Sequence, residues 1–484
     1  MGAPAAKKPS LPEGFVAIVK RDCPTCVLVE PVLRQIQEIS GRLTVYSQDD
    51  PSFPHGLRVV DDRELATSWH HSIEAVPTLL RIERGVEVAR AVGWNRRDWE
   101  TLTGISGLGP SLPAYRPGCG SLSVDPDRAD ALAARFSGSK IRSRRIELAS
   151  LEDEIEAGFD RGWTDGLPIV PPTESRLLRM LEGTRRSPDE IVATVPPDLA
   201  AASVEKVAIN AVMAGCKPEY LPVVLAALEA ACTDQFNMHG VLATTMPVGP
   251  VIVVNGPIRR AIGMNSGANV LGQGNRANLT VGRALQLVVR NIGGGRPGEV
   301  DRATHGSPGK LSFCFAEDEE GSPWEPLSVE RGLPDGASAV TVFAGEGTRC
   351  IVDQKSRTPE SLASSFAVNL RSLHHPKLAL AFDAILVVGP EHARVFREKG
   401  WSKGRVRMEI EERLRLPWGE LARDAGGIAE GMPDHLRAEV LPKFRPGGLL
   451  LVHAGGTAGL FSEIIGGWQG GSGGSEPTTR EVRT

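Results

Sequence analysis

Apolar positions along the chain fall into short continuous runs and longer periodic stretches. Phe15-Val-Ala-Ile-Val19 is unbroken and short, which predicts a buried strand. Over Val27–Ile39 the apolar residues Val29, Val32, Leu33 and Ile36 stand three or four apart, so this stretch predicts a helix. Leu43–Ser47 predicts a second strand and Glu64–His70 a short helix. Thr78–Ile82 and Val86–Val92 read as two strands joined by a hairpin turn at Arg84-Gly85. Arg96–Leu102 begins a closing helix. From Gly104 to Ser123 the chain has few apolar residues and many Gly, Pro and Ser, so it is expected to be a linker or surface arm. Asp127–Phe136 and Ile146–Phe159 read as helices.

A larger unit runs from about Trp163 to Trp468. Val204–Ala214 and Leu221–Cys232 are helical in pattern. Three apolar runs each end in a glycine turn: Pro250–Val254 before Asn255-Gly256-Pro257, Ala384–Val388 before Gly389-Pro390, and Leu449–Val452 before His453-Ala454-Gly455-Gly456. Buried strands with glycine turns at their carboxyl ends predict an α/β sheet with ligands bound at that edge. No internal repeat is evident beyond this strand–glycine–helix similarity. Gly470–Ser475 and the polar residues after it are expected to form a flexible tail. The predicted organisation is a small domain over 1–106, a linker and helical arm over 107–150, a large α/β domain over 151–469, and a tail over 470–484.

Composition is that of a globular chain: 484 residues, 41% hydrophobic and 24% charged. A net charge of −4 leaves no basic excess for nucleic acid. Met1–Ser10 has charge without an apolar segment behind it, and no run is long enough to span a membrane. The expected location is cytoplasmic. Seven cysteines are too sparse for a secreted disulfide scaffold. Cys119, Cys216, Cys232, Cys314 and Cys350 are scattered; Cys23 and Cys26 stand at C-x-x-C spacing.

That spacing at the start of a predicted helix has a chemical rationale. Helix-terminal N–H groups favour a thiolate, so Cys23 is the expected nucleophile and Cys26 the resolving thiol. Asp22 beside it is expected to oppose ionisation. Metal binding by the pair, or a purely docking role for the domain, are the alternatives. With Val76-Pro77-Thr78, the Arg84-Gly85 turn and Gly93, residues 12–104 resemble the thioredoxin-like family. The resemblance implies an N-terminal thioredoxin-like domain in which a cis Pro77 lies against the dithiol, where backbone groups pair with a substrate chain. The Trp-Cys-Gly-Pro-Cys form common in thioredoxins is absent.

In the large domain, Cys216 follows a helix and precedes Lys217, an arrangement that would activate an exposed thiol. Gly272-Gln-Gly274-Asn275-Arg276-Ala277-Asn278 leads into a helix, so its backbone N–H groups, with Arg276 or Arg283, are candidates for holding an anionic substrate. A tight loop serving only helix packing is the alternative. His239, Lys310 and Glu317 are candidates for proton transfer, and a metal in this domain is a further option. No H-E-x-x-H, P-loop, G-x-S-x-G elbow or paired zinc motif occurs.

Asp165–Pro172, Asn210–Glu219, Asn255–Pro257, Gly274–Arg283, Gly309-Lys310, Gly400–Lys403 and Ala454–Gly456 resemble an uncharacterised bacterial family. That family is associated with small proteins bearing a selenocysteine- or cysteine-Gly-Ser-Cys motif. Cys119-Gly120-Ser121 begins like that motif, with Leu122 in place of its second cysteine. The association implies thiol or selenol redox chemistry on a small molecule. The expected function is a thiol–disulfide oxidoreductase module coupled to a domain acting on a small molecule, with a thiol or disulfide protein as partner. A non-redox lyase or hydrolase with a docking module, and a carrier of a thiol-reactive or organometallic ligand, are the other readings.

Overall fold

The computed structural model describes residues 8–136, 141–144, 146, 148, 152–375, 378–417, 419, 435 and 438–483. It divides into two compact units, Met1–Arg142 and Ser143–Thr484. Both are mixed α/β.

The first unit contains β1 (Gly14–Val19), α1 (Pro24–Leu28), α2 (Glu30–Ser40), β2 (Leu43–Ser47), β3 (Val59–Asp61), α3 (Ala66–His70), β4 (Ala75–Val76), β5 (Thr78–Glu83) and β6 (Val86–Val92). β7 (Trp94–Asn95), α4 (Arg96–Thr103), β8 (Tyr115–Arg116), β9 (Cys119–Gly120) and α5 (Pro126–Phe136) follow. One sheet has the order β3-β2-β1-β5-β6. β1, β2 and β3 run parallel, whereas β5 and β6 are antiparallel. β1 is central, which explains its unbroken apolar run: Val16, Ala17, Ile18 and Val19 are all fully buried. α2 places Val32, Leu33 and Ile36 against this core, as their spacing predicts.

The stretch expected to be a linker is part of this unit. After α4 the chain returns across it: β8 pairs with β7 and β9 pairs with β4, both antiparallel. Arg96 ties the return down by donating to the carbonyls of Leu108, Gly109 and Leu112. Trp94 Nε1 donates to Pro113 O at 2.7 Å. The Gly, Pro and Ser composition reflects close backbone approach rather than freedom.

The second unit opens with α6 (Glu154–Asp160), α7 (Glu174–Leu181), the hairpin β10 (Ile191–Val195) and β11 (Ala200–Ser203), α8 (Val204–Ala214), α9 (Leu221–Ala231) and α10 (Met238–Ala243). It continues with β12 (Gly249–Asn255), α11 (Ile258–Ala261), α12 (Arg276–Asn291), β13 (Cys314–Ala316), α13 (Leu327–Glu330), β14 (Ala339–Val352) and α14 (Pro359–Arg371). Then come β15 (Phe382–Val388), α15 (Pro390–Arg397), α16 (Lys403–Leu414), the short pair β16 (Leu416–Pro417) and β17 (Val440–Leu441), β18 (Leu449–His453), β19 (Phe461–Gln469) and β20 (Thr478–Glu481). The sheet order is β13-β12-β14-β19-β15-β18, with β20 added to β14.

Its pairing is palindromic. β12 has a parallel neighbour, β13, and an antiparallel one, β14. β15 has a parallel neighbour, β18, and an antiparallel one, β19. The strand–glycine–helix similarity in the sequence thus corresponds to two like halves meeting at the antiparallel β14–β19 pair. The expected 470–484 tail is corrected likewise. Thr478–Glu481 pairs with Ala339–Val342, and Arg331 donates to Pro477 O. The expected helix over Ile146–Phe159 begins at Glu154, and some residues before it lie outside those described.

Candidate functional site: a sealed dithiol and a strand-end cleft

Cys23 leaves β1 and caps α1. Its Sγ accepts the Cys26 N–H at 3.3 Å, and Val76 O lies 3.5 Å away. The hydrogen bond from the Cys26 side chain, followed by Cys119 and the backbone N–H groups of Cys26 and Thr25, outweighs burial and lowers the Cys23 thiol to about 5. Cys26 is pushed far up, by burial first and by the Cys23 sulfur second. The two thiols therefore differ sharply in acidity. Asp22, expected to oppose the thiolate, does not prevail: it is exposed, and its backbone N–H is held by Asp49. The Val76–Pro77 bond is cis, and Pro77 O accepts from Gly93 N.

Cys23 is 1% exposed. What covers it is the returning chain. Val76 pairs in register with Cys119, and Ala75 with Gly120. Thr25 Oγ1 donates to Pro117 O at 2.8 Å, and Lys20 Nζ to Gly120 O at 3.0 Å. In this register Cys119 stands opposite Val76, whose carbonyl lies 3.5 Å from Cys23 Sγ, and its side chain is among the groups that lower the Cys23 thiol. Burial, then the Cys23 sulfur, raises the Cys119 thiol. In the sequence Cys119 stands out only as the start of a Cys-Gly-Ser run, because nothing local links it to Cys23, 96 positions away in the chain.

In the large unit Cys216 lies against Thr280 of α12, near Arg276 and Arg283. Cys216 is not activated: it is 6% exposed, its Sγ donates to Thr280 O at 3.3 Å, and burial pushes it up to about 12. Lys217 does not reverse that cost. Cys314 is also buried, and burial raises its thiol as well. Arg283 clamps Asp165 with two 2.8 Å hydrogen bonds and also donates to Leu167 O and Pro168 O. Arg276 donates to Gly215 O. Arg283 is thereby engaged by the chain itself, whereas Arg276 is exposed apart from this bond. Lys310 is paired with Asp301 at 2.8 Å, while Glu317 is buried with Asn255 and the Leu327 N–H. His239 is exposed on α10.

Gly274 adopts φ +115°, and Asn275 caps α12 by accepting from Asn278 N. Asn278 is 2% exposed and holds the preceding loop: Nδ2 donates to Asn265 O and Val270 O, and Oδ1 accepts from Asn265 N. That loop forms one wall of a cleft of about 260 Å³ at the carboxyl ends of β15 and β18. Gly389-Pro390, Gly455-Gly456, Ser462 and Glu463 form much of the rest. The glycine-rich segment thus acts indirectly, by positioning a wall.

At the cleft, Ser462 Oγ accepts the Gly389 N–H and contacts His392 Nδ1 at 2.8 Å. The other ring nitrogen of His392 is 3.1 Å from Asp353 O, and burial lowers the pKa of this imidazole. Glu463 lies opposite the exposed Cys350 on β14, and burial raises its pKa. His453, at the end of β18, packs its Nδ1 against Asp318 O, and its Nε2 has no hydrogen-bond partner.

Among the described residues no group of three or more His, Cys, Asp or Glu side chains is placed to hold a metal ion. Nor is any described helix long and apolar enough to cross a membrane. No family model matches the chain, and no curated protein matches it either.

Proposed function

We propose that the chain is a thiol–disulfide oxidoreductase in which a thioredoxin-like dithiol module, Cys23 and Cys26, is joined to an α/β unit that acts on a small molecule. The observation that carries the reading is the asymmetry of the pair. Cys23 is held as a thiolate by hydrogen bonds from its own turn, and Cys26 is kept protonated by burial. This division lets one sulfur attack a disulfide while the other displaces the product from the mixed disulfide. The parallel β1–β2–β3 and antiparallel β1–β5–β6 arrangement around Pro77 agrees with the thioredoxin-like resemblance.

For the second unit the cleft at the carboxyl ends of β15 and β18 is the preferred substrate site, since open α/β sheets bind ligands at that edge. Its volume suits a small molecule. The partner is a disulfide-bearing protein or small disulfide. Cys216 takes no part in this exchange, because a buried thiol raised to about 12 is a poor nucleophile near neutral pH.

The test is turnover of a protein disulfide by the full chain with dithiothreitol as reductant. The expected result is catalysis by the wild type and its loss in Cys23→Ser. Equal rates for the two proteins would overturn the reading.

A further inference from the structure

We infer that Cys119 is a third redox residue, carried on a built-in strap, through which external disulfides reach the sealed Cys23–Cys26 pair. The inference rests on the dithiol reading above.

The strap, residues 113–123, is seated by specific backbone contacts. Arg96 N donates to Ala114 O, β8 pairs with β7, β9 pairs with β4, and Ser121 N donates to Glu74 O. The register puts Cys119 directly opposite Val76, whose carbonyl also faces Cys23 Sγ. Glycines make this closeness feasible. A Cβ on Gly118 would lie 2.8 Å from Val76 O, and one on Gly93 would lie 2.8 Å from Gly118 N. Gln48 anchors the far end by donating to Ser121 Oγ and accepting from Leu122 N.

Exposure decides the direction of traffic. Cys23 is 1% and Cys26 0% exposed, while Cys119 is only half-buried. An incoming disulfide therefore meets Cys119 first.

The exchange steps balance. Cys119 gives its proton to the nearby Cys23 thiolate and attacks R–S–S–R, forming Cys119–S–S–R and releasing RS⁻, which takes that proton from Cys23. The Cys23 thiolate then attacks Cys119 Sγ, forming the Cys23–Cys119 disulfide and releasing the second RS⁻. Cys26 attacks Cys23 Sγ, forming Cys23–Cys26, and its proton passes to the departing Cys119 sulfur, which returns as the thiol. The net change is oxidation of the Cys23 thiolate and Cys26 thiol to a disulfide and reduction of R–S–S–R to one R–SH and one RS⁻.

The experiment uses the full chain with glutathione disulfide as oxidant, and disulfides are mapped by proteolysis and mass spectrometry. Removing Cys26 stops the sequence at its second step, so Cys26→Ser should accumulate an intramolecular Cys23–Cys119 link. The double variant Cys26→Ser/Cys119→Ser should retain no such link. If Cys26→Ser carries no Cys23–Cys119 link while the wild type forms Cys23–Cys26 normally, the role of Cys119 is overturned and the dithiol reading stands. If the wild type forms no Cys23–Cys26 disulfide, both fail. A Cys26→Ala variant, which adds no hydroxyl at the buried position, repeats the mapping should the serine variant fold poorly.

Discussion

Cys23 and Cys350 show how far environment separates chemically identical side chains. In the fold, Cys23 ionises near 5, against an ordinary thiol value of about 9. Its ionised form is therefore favoured by folding. The resulting stabilisation of the reduced protein is complete above about pH 9 and drains away as pH falls towards 5. The melting temperature of the reduced wild type should exceed that of Cys23→Ser most at the alkaline end, with the gap closing near pH 5. A pH-independent gap would show that the thiolate is not what the fold favours. In the second unit all three of Cys216, Cys314 and Cys350 have raised thiols, but Cys350 is exposed whereas Cys216 and Cys314 are buried. Alkylation of the native protein with iodoacetamide should mark Cys350 and leave Cys216 and Cys314 unmodified until the chain unfolds.

Among the elements, the strap and the loop held by Asn278 do most to shape the two sites. Gly118→Val places a branched side chain where even a Cβ would meet Val76 O at 2.8 Å. It should lift the strap and raise the alkylation rate of Cys23 several-fold. An unchanged rate would mean that the strap does not limit access. Asn278→Ala removes both Nδ2 bonds and the Oδ1 acceptor in a buried setting. The expected cost is about 1–3 kcal/mol in urea unfolding. The sequence patterns were informative for elements whose partners are local in character. The strands β1, β12, β15 and β18 stand out as apolar runs, and α2 as a periodic one. They said little about β14 and β19. In β14 the apolar run breaks at Gly345-Glu346-Gly347, and in β19 Gly466 and Gly467 look like a terminus. The strap was illegible for a related reason. Its order comes from backbone bonds to residues roughly twenty to forty-five positions earlier, and such bonds leave no periodicity in side-chain polarity.

At the scale of the whole molecule, two units with separate cores carry two kinds of site. The second is a seven-stranded sheet whose halves mirror one another in pairing, closed by residues that composition alone would assign to a tail. Thr478–Glu481 pairs with β14, Thr479 meets Thr341 at 2.9 Å, and Glu476 N donates to Gln235 O. Deleting 470–484 should therefore expose the flank of β14 and make the second unit sensitive to limited proteolysis. A free tail could be removed without effect. The strand-end cleft was foreseeable from the glycine turns, but its neighbours Ser462, Glu463 and Cys350 were not, because β14–β19 pairing brings them there.

The measurement that bears most directly on the central claim is a pH titration of the reduced full chain by ultraviolet thiolate absorbance, with Cys23→Ser as reference. The account predicts one thiol ionising near pH 5 in the wild type and none there in the variant. If no thiol titrates before the ordinary range near 9, Cys23 is not a poised nucleophile and the redox reading is contradicted.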